Sequence, residues 1–236
     1  MLARRLGAEF VGTALLLIAV VGSGIAAQRL SPHDIGLELL ENSIATGAAL
    51  AAIILAVGPV SGAHLNPVVS LADRLLGGLT WRETVAYWVA QVAGGAVGTV
   101  VANLMFSLAP VTISTKMRSG PGLWLAEVVA TFGLLLVVFG VVRSGRAGLA
   151  PFAVGAYIAA AYWFTASTSF ANPAVTLART LTDTFAGIAP ASVVPFIAAQ
   201  FIGALAATAL ARWFYPTLTA VALGAADYAD GPKGAR

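Results

Sequence analysis

Long apolar stretches with almost no charge recur along these 236 residues, at Leu6 to Ala27, Gly36 to Val57, Thr84 to Phe106, Leu123 to Val142, Leu149 to Thr165 and Ser192 to Phe214. Each is close to the roughly 20 residues that an α-helix needs to cross the hydrocarbon of a bilayer. Lipid offers the backbone no hydrogen-bond partners, so a chain of this kind folds as helices or as a closed barrel, and runs of this length select helices. Composition agrees: 59% of residues are hydrophobic, 10% are charged and the mean hydropathy is +0.89, which leaves no room for a separate soluble domain. The first run follows Arg4 and Arg5, but Glu9 interrupts its start and it is too long for a signal peptide, so it reads as a retained first span.

Cysteine is absent, which excludes disulfides and thiolate metal sites. Most of the 13 basic residues flank apolar runs, a pattern that sets topology rather than nucleic-acid binding. Six crossings put both termini on one side. With a cytoplasmic N-terminus, Arg4, Arg5, Arg74, Arg82, Arg143, Arg146, Arg212, Lys233 and Arg236 lie inside, and Arg29, Lys116, Arg118 and Arg179 outside. That nine-to-four split favours an integral inner-membrane protein with both termini cytoplasmic. The Ala- and Gly-rich stretch from about Thr217 to Arg236 reads as a mobile cytoplasmic tail.

Two apolar stretches, Asn66 to Leu76 and Asn172 to Leu181, are only about half the length of a crossing. Each opens with Asn-Pro, and proline in the first helical turn loses no hydrogen bond and presets φ. They are expected to be re-entrant half-helices. The chain also repeats: Glu9-x-x-x-Thr13 is answered by Glu127-x-x-x-Thr131, Asn66-Pro-Val-Val-Ser-Leu-Ala by Asn172-Pro-Ala-Val-Thr-Leu-Ala, and Gln91-x-x-Gly94 by Gln200-x-x-Gly203, at offsets of 118, 106 and 109 residues. Three spans separate the copies, so the second, about 120–216, is inverted relative to the first, about 1–110, within a single channel domain over 1–236. The two half-helix N-termini then meet near the membrane midplane.

Irregular backbone at that depth is tolerated where it lines a water-filled cavity, which makes Asn66 and Asn172 the expected pore centre. Positive helix ends and two side-chain amides repel cations and donate to neutral hydroxylated molecules. The carbonyls of the extended stretches Gly62 to Leu65 and Ser167 to Ala171 continue the path.

Ser61-Gly-Ala-His-Leu-Asn-Pro-Val68 and Phe170-Ala-Asn-Pro-Ala174 resemble the paired Asn-Pro-Ala signatures of the aquaporin and aquaglyceroporin family, the major intrinsic proteins. The resemblance covers nearly the whole chain and includes Glu9 and Glu127, Gln91 and Gln200, and Ala150-Pro151-x-x-x-Gly155. It implies a right-handed bundle of six tilted helices with two half-helices, one pore per subunit, and a homotetramer. It also implies a passive channel with no cofactor, no metal site and no catalytic residue.

One departure matters most. Where most of the family carries an arginine after the second motif, this chain has Val175, which removes a charge and widens the outer constriction. Counting from the motifs gives Thr46 as a second filter residue, Tyr162 or Ala160 as a third, and Phe170 or Ser169 as a fourth. Arg179, four residues beyond Val175, is about one 5.4 Å turn away and either substitutes for the missing arginine or anchors the half-helix to nearby carbonyls or a carboxylate, as Arg74 near the corresponding place in the first copy suggests. Val68, in place of the motif's alanine, reads as a packing variation. Glu9 and Glu127 hold the re-entrant loops by accepting their amides, with a proton relay as the other reading. His64 belongs to the pore-lining loop, and with His33 far off in an outer loop no metal constellation forms.

The leading expectation is passage of small uncharged solutes, from glycerol-like polyols to neutral metalloid acids, together with water. The segment Ser167 to Gly187 resembles the subgroup that accompanies bacterial arsenic-resistance genes and lacks the filter arginine, which adds arsenite and methylated arsenicals. Two alternatives remain: a water channel with an atypical filter, and a proton-coupled secondary transporter.

Overall fold

The computed structural model describes residues 1–216. The tail expected from Thr217 onward lies outside the described residues. Eight α-helices follow in order: α1 (Leu2–Leu30), α2 (Ile35–Ser61), α3 (Pro67–Leu75), α4 (Trp81–Met105), α5 (Pro121–Arg143), α6 (Ala150–Phe164), α7 (Pro173–Ala178) and α8 (Val193–Phe214). There is no strand among the described residues. Six helical segments are long and apolar enough to cross a membrane, and α3 and α7 are the two short ones.

Four of the six long helices described, α1, α2, α4 and α5, start before the apolar cores read from sequence, and polar side chains cap two of them, α2 and α4. Asp34 accepts from the Leu37 amide at 2.9 Å and starts α2. Thr80 and Glu83 exchange bonds in a capping box that starts α4 at Trp81, three residues before the expected Thr84. The fifth and sixth spans each enter through one 3-10 turn, Ala147–Leu149 and Pro190–Ser192, so α6 and α8 begin one residue later than expected.

Within each half the first helix packs on its two long partners, α1 on α4 and α2, and α5 on α8 and α6. The halves join where α2 meets α6, α3 meets α8 and α7 meets α4. Missing side chains make these crossings close. A Cβ on Gly94 or Gly98 would collide with the carbonyls of Phe10 or Ala14, and one on Gly203 with the Val128 carbonyl. At the junction of the halves, Gly47 and Gly155 do this reciprocally, each lying against the other's carbonyl. Large apolar side chains such as Val89, Leu125, Val194 and Ile202 point outward, as lipid-facing surfaces require.

Arg5 pairs with Glu83 at 2.8 Å, and Arg212 near the end of α8 donates to the Leu75 carbonyl at the end of α3. The start of α1, the start of α4 and the ends of α3 and α8 therefore share one face, here the terminus face. Thr182, just past α7, donates to Asn103 near the end of α4 on the opposite, far face. The two half-helices enter from opposite faces, as the inverted repeat requires.

A candidate pore between two half-helices

The site begins with two prolines. Pro67 and Pro173 sit in the first turn of α3 and α7, and the asparagine before each caps its helix: Asn66 Oδ1 accepts from the Val68 amide at 3.1 Å, and Asn172 Oδ1 from Ala174 at 2.9 Å and Val175 at 3.3 Å. Such caps are worth about 1 kcal/mol. With each oxygen committed to its helix, the amide NH₂ turns inward. Asn66 Nδ2 donates to the Ala171 carbonyl and Asn172 Nδ2 to the Leu65 carbonyl, both at 2.8 Å. These crossed bonds join the loops, a role the sequence reading missed. Each side-chain nitrogen has two hydrogens, so one donor on each asparagine remains for the cavity that both residues border.

The approaches to the asparagines are not extended, as expected from sequence, but kinked. Gly62, Ala63 and Leu65 have positive φ, and so do Thr168, Ser169 and Ala171. Ala63 and Leu65 match Ser169 and Ala171 at the 106-residue spacing of the asparagines, so the repeat extends to the backbone. A left-handed conformation in a residue other than glycine costs about 1–2 kcal/mol. It also leaves amides facing away from any helix, and the two buried glutamates collect them. Glu9 accepts from the amides of His64 (2.9 Å) and Leu65 (2.7 Å), from Ser61 Oγ (2.6 Å) and from Gln91 Nε2 (2.7 Å). Glu127 accepts from the amides of Phe170 and Ala171 (2.9 Å each) and from Gln200 Nε2 (2.6 Å). Each glutamine also donates to a hydroxyl on its half-helix, Gln91 to Ser70 at 3.1 Å and Gln200 to Thr176 at 2.9 Å. Those hydroxyls donate in turn to the Asn66 and Asn172 carbonyls. Ser70 and Thr176 were legible as the shared fifth position of the two motifs.

A cavity of about 250 Å³ runs past this centre, from Pro59 and Gly148 toward the terminus face to Thr46, Tyr162 and Arg179 toward the far face. His64 borders it, with Nδ1 3.1 Å from Ser70 Oγ and its ring set edgewise on Tyr87 at 5.4 Å. Among the described residues no three His, Cys, Asp or Glu side chains converge. Val68 is fully buried and does not border the cavity.

Toward the far face, Tyr162 OH donates to Thr46 Oγ1 at 3.2 Å, and Val175 lines the same cavity. Ala160, the other candidate by counting, lies on the exposed outer surface of α6. Phe170 and Ser169 both border the cavity. Three cations gather there. Arg179 is buried, its Nε donates to the Ala186 carbonyl, and its guanidinium lies 3.5 Å above the Phe170 ring. Arg118 lies 5.0 Å from the same ring and donates to the Gly187 carbonyl at 2.9 Å and the Phe185 carbonyl at 3.3 Å. Lys116 Nζ donates to the Phe185 carbonyl at 3.0 Å. Burial pulls Lys116 down to about 8, with the charges of Arg118 and Arg179 adding to the effect, and burial pulls Arg118 down to about 10. Arg118 and Lys116 sit more than 50 residues before the second motif, so no local signal ties them to it. Arg74 has no such role: it stacks on Trp81 at 5.3 Å.

Residues 1–171 and 148–234 match the family model described as Major intrinsic protein. The chain is 53% identical over 212 residues to the aquaglyceroporin AqpS of Rhizobium meliloti (strain 1021), covering 90% of each chain. It is 32% identical over 246 residues to the aquaporin AqpM of Methanothermobacter marburgensis, covering 92% of this chain and 98% of that one. The X-ray structure of the aquaglyceroporin from Plasmodium falciparum matches with a TM-score of 0.68 at 23% identity, over 92% of this chain and 97% of that one, a likeness of fold. The six crossing helices, the paired re-entrant segments and these matches agree: the chain belongs to the major intrinsic protein family and is a multi-pass membrane channel for water and small solutes, not an enzyme.

Proposed function

We propose that this channel conducts small uncharged polyhydroxy solutes, glycerol-like polyols and neutral metalloid acids such as arsenite, with methylated arsenicals, besides water. The observation that carries the reading is the composition of the far-face mouth, where two hydroxyls, Thr46 and Tyr162, meet in a cavity that the aliphatic Val175 also lines. A valine holds no water and offers no donor, so a solute with a carbon or metalloid body loses less on entering than at a guanidinium. Thr46 and Tyr162 exchange hydrogen bonds with the solute's hydroxyls. The 53% identical relative is itself named an aquaglyceroporin, which supports solute passage in addition to water.

Asn66 and Asn172 form the pore centre, each presenting one free amide hydrogen. Glu9 and Glu127 act as scaffold for the loops, because every bond they accept comes from a loop amide, a hydroxyl or a glutamine. The nine-to-four distribution of basic residues supports a cytoplasmic terminus face in an inner membrane, and the family's habit supports a homotetramer. The test is a flux panel of water, glycerol, urea, arsenite and methylarsenate on purified protein in liposomes. Glycerol and arsenite fluxes well above those of protein-free liposomes are expected; water flux alone would overturn the solute reading.

A further inference from the structure

Arg179 is a charged side chain at 2% exposure that borders the cavity, yet only one of its three nitrogens has an acceptor. Nε is bound to the Ala186 carbonyl. Neither terminal nitrogen meets an acceptor among the described residues, and neither belongs to the sealed, partnerless polar atoms of the interior, so both open onto the cavity. A buried guanidinium with an unused edge is costly unless something occupies that edge. The Phe170 ring 3.5 Å beneath it fixes the plane of the fork.

Anchoring alone does not account for this. At the 106-residue spacing of the two asparagines, Arg179 answers Asp73. Asp73 also ties down the loop after its half-helix, accepting from the Leu79 amide at 2.8 Å, but it does not border the cavity. The second copy holds its loop with a cation that has donors to spare. Two more cations stand close by: Arg118 on the same aromatic ring and Lys116 beside it, both bound to main-chain carbonyls, and among the described residues no carboxylate forms an ion pair with any of the three. Of the carboxylates whose charge reaches the three, Glu38 lies on α2, Glu127 is taken up by the loop amides and Gln200, and Asp183 is bound by Thr115. Such a grouping of like charges is stabilised by a negative or strongly accepting guest.

We propose that the free Nη1–Nη2 edge of Arg179, backed by Arg118 and Lys116, is a binding site at the far-face mouth for oxoacid groups, those presenting two acceptor oxygens on one atom. A guanidinium edge matches such a pair with two parallel hydrogen bonds, which a polyol's single hydroxyls do not reproduce. The site lies inside the cavity rather than on the lipid-facing surface, so its guest is a dissolved solute and not a lipid headgroup. It rests on the channel reading but not on which neutral solute passes.

The probe is methanesulfonate, compact and singly charged across the neutral range, added to liposomes holding the full-length protein. Water flux is the readout, so the outcome does not depend on glycerol passing. Methanesulfonate is expected to slow water flux while chloride at equal ionic strength does not. In Arg179→Gln the concentration that halves the variant's own flux rises by about tenfold or more, the loss of one charge-assisted contact. Arg179→Lys keeps the charge without the fork, and it also loses most of the block; should Arg179→Gln fail to fold, this variant decides alone. In Val175→Arg/Arg179→Gln, where a guanidinium returns one turn away, the block recovers. No block of the unaltered protein, equal block by chloride, or an unchanged halving concentration in Arg179→Lys would overturn the proposal.

Discussion

Val175 lines the same cavity as the Thr46–Tyr162 hydroxyl pair and brings no guanidinium to it, whereas Arg179 borders that cavity. In Val175→Arg a second guanidinium enters the cavity, and glycerol flux is expected to fall by about tenfold or more while water flux falls less, the cost of roughly 1.4 kcal/mol of added barrier; equal loss of both, with the protein still folded, would count against a filter role. Lys116 adds a pH dependence. Its amine, facing Arg118, Arg179, Glu38 and Asp183, is held near 8 by burial and by the two arginines. The mouth therefore loses one positive charge as pH rises through about 8. Block by methanesulfonate should weaken between pH 7 and 9, and Lys116→Met should remove that step. The sign for stability is the reverse: the unfolded chain keeps this proton to higher pH than the folded one, so folding strengthens as pH rises above about 8. At this scale counting gave Thr46, which borders the cavity, but two answers for its neighbour: forward along the fifth span it gave Tyr162 on the cavity, and back through the loop before the second motif it gave Ala160 on the outer surface. Counting left Phe170 and Ser169 undivided, and in the structure both residues border the cavity, although the Ser169 hydroxyl itself is sealed in the interior without a partner.

The half-helices were legible because their apolar length, the Asn-Pro starts and the repeat all exclude a crossing. Their approach loops were not. Left-handed turns usually announce themselves by glycine, and here Ala63, Leu65, Thr168, Ser169 and Ala171 adopt them because Glu9 and Glu127 collect the amides that those turns orient. Glu127→Gln keeps the shape but sets an NH₂ group among donors. It should lower stability by about 2–4 kcal/mol, read as a fall in the melting temperature of the purified protein in detergent. An unchanged melting temperature would deny the scaffold role. The crossings make a parallel case. Gly94 and Gly203 close the repeated Gln-x-x-Gly motifs and so are marked in the sequence, whereas the Gly47–Gly155 contact joins positions 108 residues apart and shows only in the folded chain. Gly155→Val should separate α2 from α6 and reduce the yield of folded protein more than Gly122→Val, where a Cβ meets nothing.

The whole molecule is two inverted copies whose short helices meet end to end, joined by a crossed pair of amide-to-carbonyl bonds at 2.8 Å. Its order was readable because hydropathy, basic-residue bias and the three motif matches each constrain topology independently. The two halves differ at the far mouth, which carries Arg179 where the first copy has Asp73 and lines its cavity with Val175. Under the function proposed above, that mouth admits solutes larger than water. The most direct test is stopped-flow swelling of liposomes holding the purified protein under an inward glycerol gradient, with water permeability measured on the same preparation. Glycerol entry several times faster than in protein-free liposomes is the predicted result; fast water flux with glycerol entry no faster than the protein-free rate would contradict it.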